Sequence, residues 1–110
     1  LGLWTPGKSP ILCPPAEAEA FTMKGYAGSI AATADRILIT SPKGGAAMIF
    51  ATDGTPVATH LRADLCGAAT SGGSFTVTDG SGAVWSADDQ GLTPLATDET
   101  QWDNHLVALT

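Results

Sequence analysis

Short apolar runs alternate with turns rich in Gly, Asp and Ser along most of the chain. Runs of this length, rich in β-branched residues and bounded by Gly, Pro and Asp, predict β-strands. Asp53-Gly54, between two such runs, is a hairpin signal. The predicted strands fall into two groups, at residues 28–33, 37–41, 46–51 and 56–61 and at residues 65–70, 75–78, 83–87 and 93–97. The pattern therefore predicts an all-β protein with two four-stranded antiparallel units.

The two groups are copies of one internal repeat, because four segments recur in a single register. Thr55 and Thr93 begin the related segments TPVAT and TPLAT, which stand 38 residues apart. At the same offset the sequence matches ILIT with FTVT, and IAA with AAT and then with LVA near residue 106. Four antiparallel strands in a repeat of about 40 residues are typical of a β-propeller blade.

The repeat divides the single predicted domain into two blades and two partial blades. Residues 1–27 are predicted to end a preceding blade, residues 28–64 and 65–101 to form whole blades, and residues 102–110 to form the first strand of a closing blade. Propellers close with about four to eight blades. We therefore expect a fragment of a larger propeller, completed by the remaining blades of a longer chain. An autonomous chain would instead need sandwich-like packing of two sheets, or an oligomer.

Composition and charge exclude some classes of function. The 110 residues contain 11 Asp and Glu against 5 Lys and Arg, giving a net charge of −6. No basic patch is available to neutralise phosphates, which argues against nucleic acid as a partner. The longest apolar run is too short to span a bilayer. Cys13 and Cys66 have no ligand spacing for a metal, so we expect two small buried thiols or, in an exported protein, a disulfide.

The densest set of polar groups lies at Trp102-Asp103-Asn104-His105, where the first strand of a further blade is predicted to begin. In the repeat register, Trp102 aligns with Tyr26 and Asp64. A propeller encloses a central channel. We therefore expect one mouth of that channel to be lined by Asp103, Asn104, His105, Tyr26 and Asp64. An acidic mouth suits a cation, a basic peptide or a partner protein. The favoured function is a non-catalytic binding or scaffold module, with no cofactor, although a channel cation is possible.

Two other interpretations of the same residues stay open. A metal-dependent hydrolase of the lactonase-like propeller kind would need Asp103, Asn104 and His105 to converge on one cation, together with Asp98 and Glu99. Strand alternation, however, sends Asp103 and His105 to one face and Asn104 to the other. The four polar residues could equally lock the closing strand in place without any chemistry.

Most other candidate groups have a structural explanation. The turn positions of four aspartates, Asp53, Asp79, Asp88 and Asp89, favour turn chemistry over ligand binding. His60 is predicted to face solvent near the end of an outer strand. The chain has no Gly-x-Ser-x-Gly elbow for a nucleophilic triad.

Four stretches resemble the end of a known family: GYAGSIAAT, ITSPKGG, DLCGAA and the terminal WDNHLVAL. This is an exported proteobacterial β-propeller family of unknown function, some of whose members carry twin-arginine signals. The resemblance covers most of the chain, but only the C-terminal third or so of a full-length member. It implies a propeller of the seven-bladed type in the periplasm. It also implies a genomic setting near imelysin-like iron-regulated proteins and di-haem peroxidase-like proteins, and it carries over no activity.

Overall fold

The computed structural model describes residues 1–109 and contains ten β-strands in three antiparallel sheets. Two short strands form an N-terminal hairpin, β1 (Gly2–Leu3) and β2 (Ile11–Leu12). Sheet I contains β3 (Ile30–Ala32), β4 (Arg36–Ser41), β5 (Ala46–Ala51) and β6 (Pro56–Leu61). Sheet II contains β7 (Leu65–Ser71), β8 (Ser74–Asp79), β9 (Ala83–Asp88) and β10 (Gly91–Thr97). The all-β prediction, with two successive four-stranded antiparallel units, is confirmed.

Outside the sheets, the segment between β2 and β3 contains a single 3-10 turn at Glu17–Glu19. No helix within residues 1–109 is long and apolar enough to cross a membrane.

Sheets I and II pack face to face around a shared apolar core. The buried residues of this core come from both sheets: Leu38, Ala47 and Ile49 from sheet I, and Leu65, Ala68, Phe75, Val77 and Ala87 from sheet II. The other face of sheet I buries Ile39, Met48 and Phe50 beneath Leu1 and Met23. Sheet I is therefore covered on both faces, and its two central strands are almost wholly buried.

The two sheets stack in the same sense, so that equivalent residues point the same way. Ile39 points toward the N-terminal residues, and Val77, its equivalent 38 residues later, points back toward sheet I. Leu38 points forward onto sheet II. Its equivalent Thr76 points forward onto residues 106–109. A head-to-tail arrangement of this kind repeats one interface instead of pairing two like faces.

Hydrogen bonds repeat with the sheets. The hydroxyl of Thr40 accepts the amide of Ser29 at 3.0 Å, and the hydroxyl of Thr78 accepts the amide of Gly67 at 3.2 Å. The Thr40 hydroxyl also donates to the carbonyl of Cys66 at 2.6 Å, which joins sheet I to the first strand of sheet II. The 38-residue repeat is thus a repeat of contacts as well as of residue types.

The most conspicuous sequence match, TPVAT with TPLAT, marks a β-bulge in the last strand of each sheet. The register shifts between Pro56 and Ala58 in β6, and between Pro94 and Ala96 in β10. The single residue between each proline and alanine is left without a partner. Proline has no N–H to give to a ladder and is confined in sheets to edges and bulges, which explains why both outer strands carry it.

The predicted C-terminal strand is not formed. Residues 102–109 belong to none of the ten strands, and Thr110 lies outside the described residues. The segment nevertheless runs beside β7, where Leu106 lies so close to Gly67 that a Cβ on that glycine would meet the Leu106 amide at 3.3 Å. The segment lacks strand structure because no second strand within residues 1–109 lies along it to complete a ladder.

Candidate functional site

Two of the five predicted mouth residues are in direct contact. The side-chain amide of Asn104 donates to the hydroxyl of Tyr26 at 3.3 Å, across 78 residues of sequence. Gly28 makes room for this contact, because a Cβ there would lie 2.9 Å from Asn104 Oδ1. The contact joins the segment before β3 to the segment that follows sheet II. The starts of the first and third repeats therefore converge.

Asp103 and His105 flank this contact on the surface. The Asp103 carboxylate accepts the backbone N–H of Asn104 at 2.7 Å, and its side chain is exposed. His105 has φ 72°, which lies in the left-handed region of backbone conformation that residues other than glycine rarely adopt. It lines a cleft of about 550 Å³ together with Ser29, Ile30, Leu106 and other residues that are mostly apolar.

Asp64 is separate from the other four predicted mouth residues. It begins sheet II with φ 59°, its carboxylate lies against Gly80, and its carbonyl accepts the Gly80 amide at 3.1 Å. Within residues 1–109, no hydrogen bond connects Asp64 with Tyr26, Asp103, Asn104 or His105. The structure thus assembles Tyr26 and Asn104, with Asp103 and His105 beside them.

Two buried polar atoms of the segment after sheet II have no hydrogen-bond partner within residues 1–109. They are Trp102 Nε1 and Asn104 Oδ1. Nearly all buried polar groups of native proteins are paired, and an unpaired one costs about 1–3 kcal/mol. The surroundings of residues 102–104 are therefore incomplete in the described part of the chain.

The ligand set of a hydrolase is not assembled in residues 1–109. No three His, Cys, Asp or Glu side chains among them are grouped closely enough to hold a metal ion. Asp98 accepts the amide of Thr100 at 2.8 Å in an exposed turn instead. Both cysteines are free and buried, as the favoured interpretation of two small thiols expects.

An ion pair that the sequence did not indicate joins the partly exposed Arg62 guanidinium to the buried carboxylate of Asp79. Its Oδ1 accepts the amides of Ser81 at 2.9 Å and Ala83 at 3.2 Å, which is the turn role expected for it. Its Oδ2 accepts hydrogen bonds from Arg62 Nε at 2.9 Å and from Trp85 Nε1 at 3.0 Å. The Arg62 guanidinium also stacks 4.7 Å from the centroid of the Trp85 ring. The cluster fastens the connection between the sheets to sheet II.

The environment of Asp79 favours its charged form. Burial alone would raise the pKa of this carboxyl, but the hydrogen bonds from Ser81, Arg62, Trp85 and Ala83 outweigh burial and hold the pKa well below its ordinary value. No spacing rule connects Arg62 or Trp85 with Asp79, so only the fold reveals the cluster.

Acid should destabilise the chain through Asp79. Its pKa is lower in the folded chain than the value of about 3.9 expected when unfolded, so the unfolded state binds a proton first as the pH falls. The stabilising contribution should be complete above about pH 5 and should decrease progressively below that. Urea unfolding between pH 7 and pH 2.5 measures this, and the Asp79→Asn variant should show a flatter profile. An equally steep profile in the variant would assign the acid sensitivity to other carboxylates.

Other side chains of sheet I contact the turn between β9 and β10 of sheet II. Arg36 Nη2 of sheet I lies 2.8 Å from Asp89 Oδ2, and the hydrogen bonds from Arg36 lower the pKa of Asp89. His60, predicted to face solvent, is half-buried, and its Nε2 lies 2.6 Å from the carbonyl of Asp88 in an exposed contact. Stacking of sheet II against sheet I brings that carbonyl to the His60 ring. Asp53 and Asp88 act in turns as expected, each accepting a backbone amide two residues ahead.

Comparisons with known proteins give one match. No curated protein matches the chain, and no solved structure does. Residues 1–109 match the family described as "Protein of unknown function (DUF1513)", which is consistent with the sequence resemblance to an uncharacterised family. The match covers every residue that the structure describes. The chain therefore belongs to the DUF1513 family of proteins of unknown function.

Proposed function

We propose that the chain supplies consecutive blades of a β-propeller that acts as a binding or scaffold module through the inner mouth of its channel. Sheets I and II are the two blades, the N-terminal hairpin ends a preceding blade, and residues 102–109 begin a further one. The same-sense stacking of the sheets supports this architecture, because head-to-tail interfaces generate rings when the rotation closes.

The observation that carries the binding role is the Tyr26–Asn104 hydrogen bond. It brings the starts of the first and third repeats together at one end of the inner strands. In a propeller, ligands meet loops and strand starts at such an end, where several blades each supply one or two side chains. Asp103 and His105 contribute exposed polar groups beside it, and Asp64, which lies apart from this contact, presents an exposed carboxylate at the start of the second repeat.

The charge of the mouth favours a cationic ligand, and a basic peptide is the ligand we propose. Asp64 and Asp103 are exposed acidic groups at the starts of successive repeats, in a chain of net charge −6. Complementary charge accelerates encounter and selects partners more than it adds affinity. Binding should therefore weaken as salt is raised.

A hexalysine peptide tests the mouth. Titration into the protein at low ionic strength should give binding that the double variant Asp64→Asn/Asp103→Asn weakens about tenfold. The matched control is Asp53→Asn/Asp88→Asn, which removes the same charge from turns at the outer ends of the sheets and should weaken binding less than twofold. Equal loss in both double variants would indicate non-specific attraction and would reject the mouth as the site.

Export and an iron-related setting complete the proposal. Both are implied by the resemblance to the exported propeller family, and we propose a periplasmic protein whose partner belongs to an iron-related system. Cell fractionation of the full-length protein tests the location. Recovery in the cytoplasm would contradict it.

A further inference from the structure

Residues 105–109 present an unsatisfied backbone on the surface. Their peptide groups form no hydrogen bonds with residues 1–109. Val107 and Leu109 are 75% and 96% exposed. A cavity of about 240 Å³ lies between residues 106–109, the last three residues of β7 and Thr76 of β8. Together with the two unpaired buried atoms of Trp102 and Asn104, these features indicate a segment whose hydrogen-bonding and apolar groups are available to a further strand.

The position of the segment continues an established interface. Ser29 of the first repeat hydrogen-bonds Ala68 of the second, 39 residues later, and Gly67 contacts Leu106 across the same interval. Residues 105–109 thus lie against sheet II as β7 lies against sheet I. Both β3 and β7 are paired with an antiparallel second strand, β4 and β8 respectively.

The two existing pairs specify the chemistry of a missing partner strand. The residue opposite Ile30 is Ile39 and the residue opposite Ala68 is Val77, so a β-branched residue is expected opposite Leu106. In β4 and β8, the residues two positions before Ile39 and Val77 are Ile37 and Phe75. These face Ala32 and Thr70, the equivalents of Ala108, so a large apolar residue is expected opposite Ala108.

A threonine completes this partner sequence. The hydroxyls of Thr40 and Thr78, each directly after the β-branched residue, accept the amides of Ser29 and Gly67. His105 is the equivalent of Ser29 and Gly67. Its backbone N–H is therefore expected to meet a threonine hydroxyl in the partner.

We propose that residues 105–109 are a docking edge for an antiparallel β-strand of the type large apolar–x–Ile/Val–Thr, supplied by a further four-stranded repeat of the same kind. The proposal rests on the repeat architecture of the proposed function and is independent of its ligand. Backbone hydrogen bonds supply the affinity and the apolar positions set the register, as in other cases of strand addition.

Docking requires His105 to change conformation. Its φ of 72° departs from an extended strand, whereas Ser29 and Gly67 at the equivalent positions are not left-handed. A β-branched residue disfavours the left-handed region and glycine accepts it. His105→Val should therefore strengthen docking several-fold, and His105→Gly should weaken it.

An octapeptide with the sequence of residues 73–80, GSFTVTDG, is the probe, because it contains the second strand of sheet II. Hydrogen exchange of the chain should slow at residues 105–109 when the peptide is added. A control peptide with serine at the positions of Phe75 and Val77 should have no effect. Unchanged exchange at saturating peptide, or protection only at other residues, would overturn the proposal.

Proline variants test the ladder itself. In an antiparallel ladder every second residue pair is hydrogen-bonded. The backbone amide of Thr33 donates to the carbonyl of Arg36 in the second strand. The amide of Ala31, two residues earlier, and that of its equivalent Val107 therefore also face the second strand. Val107→Pro should abolish protection, whereas Ala108→Pro, whose amide faces away, should reduce it much less. Equal effects would contradict the register.

Protection that rises with protein concentration without peptide would identify a second copy as the occupant and overturn the proposal. Strand docking without hexalysine binding would retain this inference and reject the mouth.

Discussion

Replacing Asp79 with asparagine should lower the free energy of unfolding by about 3 kcal/mol, a large part of the ~5–15 kcal/mol typical of a domain. An amide has one acceptor oxygen where the carboxylate has two. If that oxygen keeps the amides of Ser81 and Ala83, the new NH₂ group faces the donors of Arg62 and Trp85. If it turns toward Arg62 and Trp85, the turn amides lose their acceptor. Either orientation leaves a buried or half-buried donor without a partner, the Trp85 indole in the first case and the Ala83 amide in the second.

Urea unfolding at pH 7 measures the loss, and Asp53→Asn is the matched control. Asp53 also accepts a turn amide, at 2.9 Å from Thr55, but it is exposed and an asparagine oxygen can replace the contact. The control should change stability by less than about 0.5 kcal/mol. A loss below 1 kcal/mol in Asp79→Asn would show that solvent reaches the cluster and replaces its hydrogen bonds.

Replacing Leu38 with alanine should destabilise the chain by about 3 kcal/mol. Leu38 is fully buried in the core shared by sheets I and II, where it packs with residues of both. Truncation removes its transfer free energy and leaves a cavity that the two rigid sheets fill only in part. Because the core is shared, both sheets should unfold in one transition in the wild type and in the variant.

Leu61→Ala is the control for this change. Leu61 ends β6 and is 73% exposed, so its truncation should cost less than about 0.5 kcal/mol. Circular dichroism and intrinsic tryptophan fluorescence should report coincident transitions. Two separate transitions, with only one moved by Leu38→Ala, would show that the sheets fold independently and would contradict the shared core.

The strands were predictable because turn chemistry and apolar runs act over short distances. The predicted limits of β5 and β6 match the structure, those of β4 and β9 differ by one residue at one end, and those of β8 differ by one residue at each end. The strand predicted for residues 102–110 is not formed within the described residues 102–109, for the opposite reason. A strand needs a neighbour, and the apolar sequence of Leu106–Ala108 carries no information about whether one is present.

The candidate site was predictable only where the repeat register placed residues together. That register aligned Trp102 with Tyr26 and so drew attention to the neighbouring Asn104, which the structure brings into contact with Tyr26. It gave no signal for Asp79, because Arg62 reaches that carboxylate through the turn between the sheets. It also gave no signal for the contact of His60 with Asp88, because this contact arises from the stacking of one sheet on the other.

The bulges after Pro56 and Pro94 have a consequence for behaviour at high concentration. They lie in β6 and β10, the strands that end sheets I and II and leave one row of peptide groups open. An uninterrupted open edge is a template on which strands of other molecules add, and this is how sheet aggregates grow. A proline without N–H, followed by a residue displaced from the ladder, interrupts that template in each sheet. The repeated TPVAT and TPLAT sequences thus protect the chain from uncontrolled self-association.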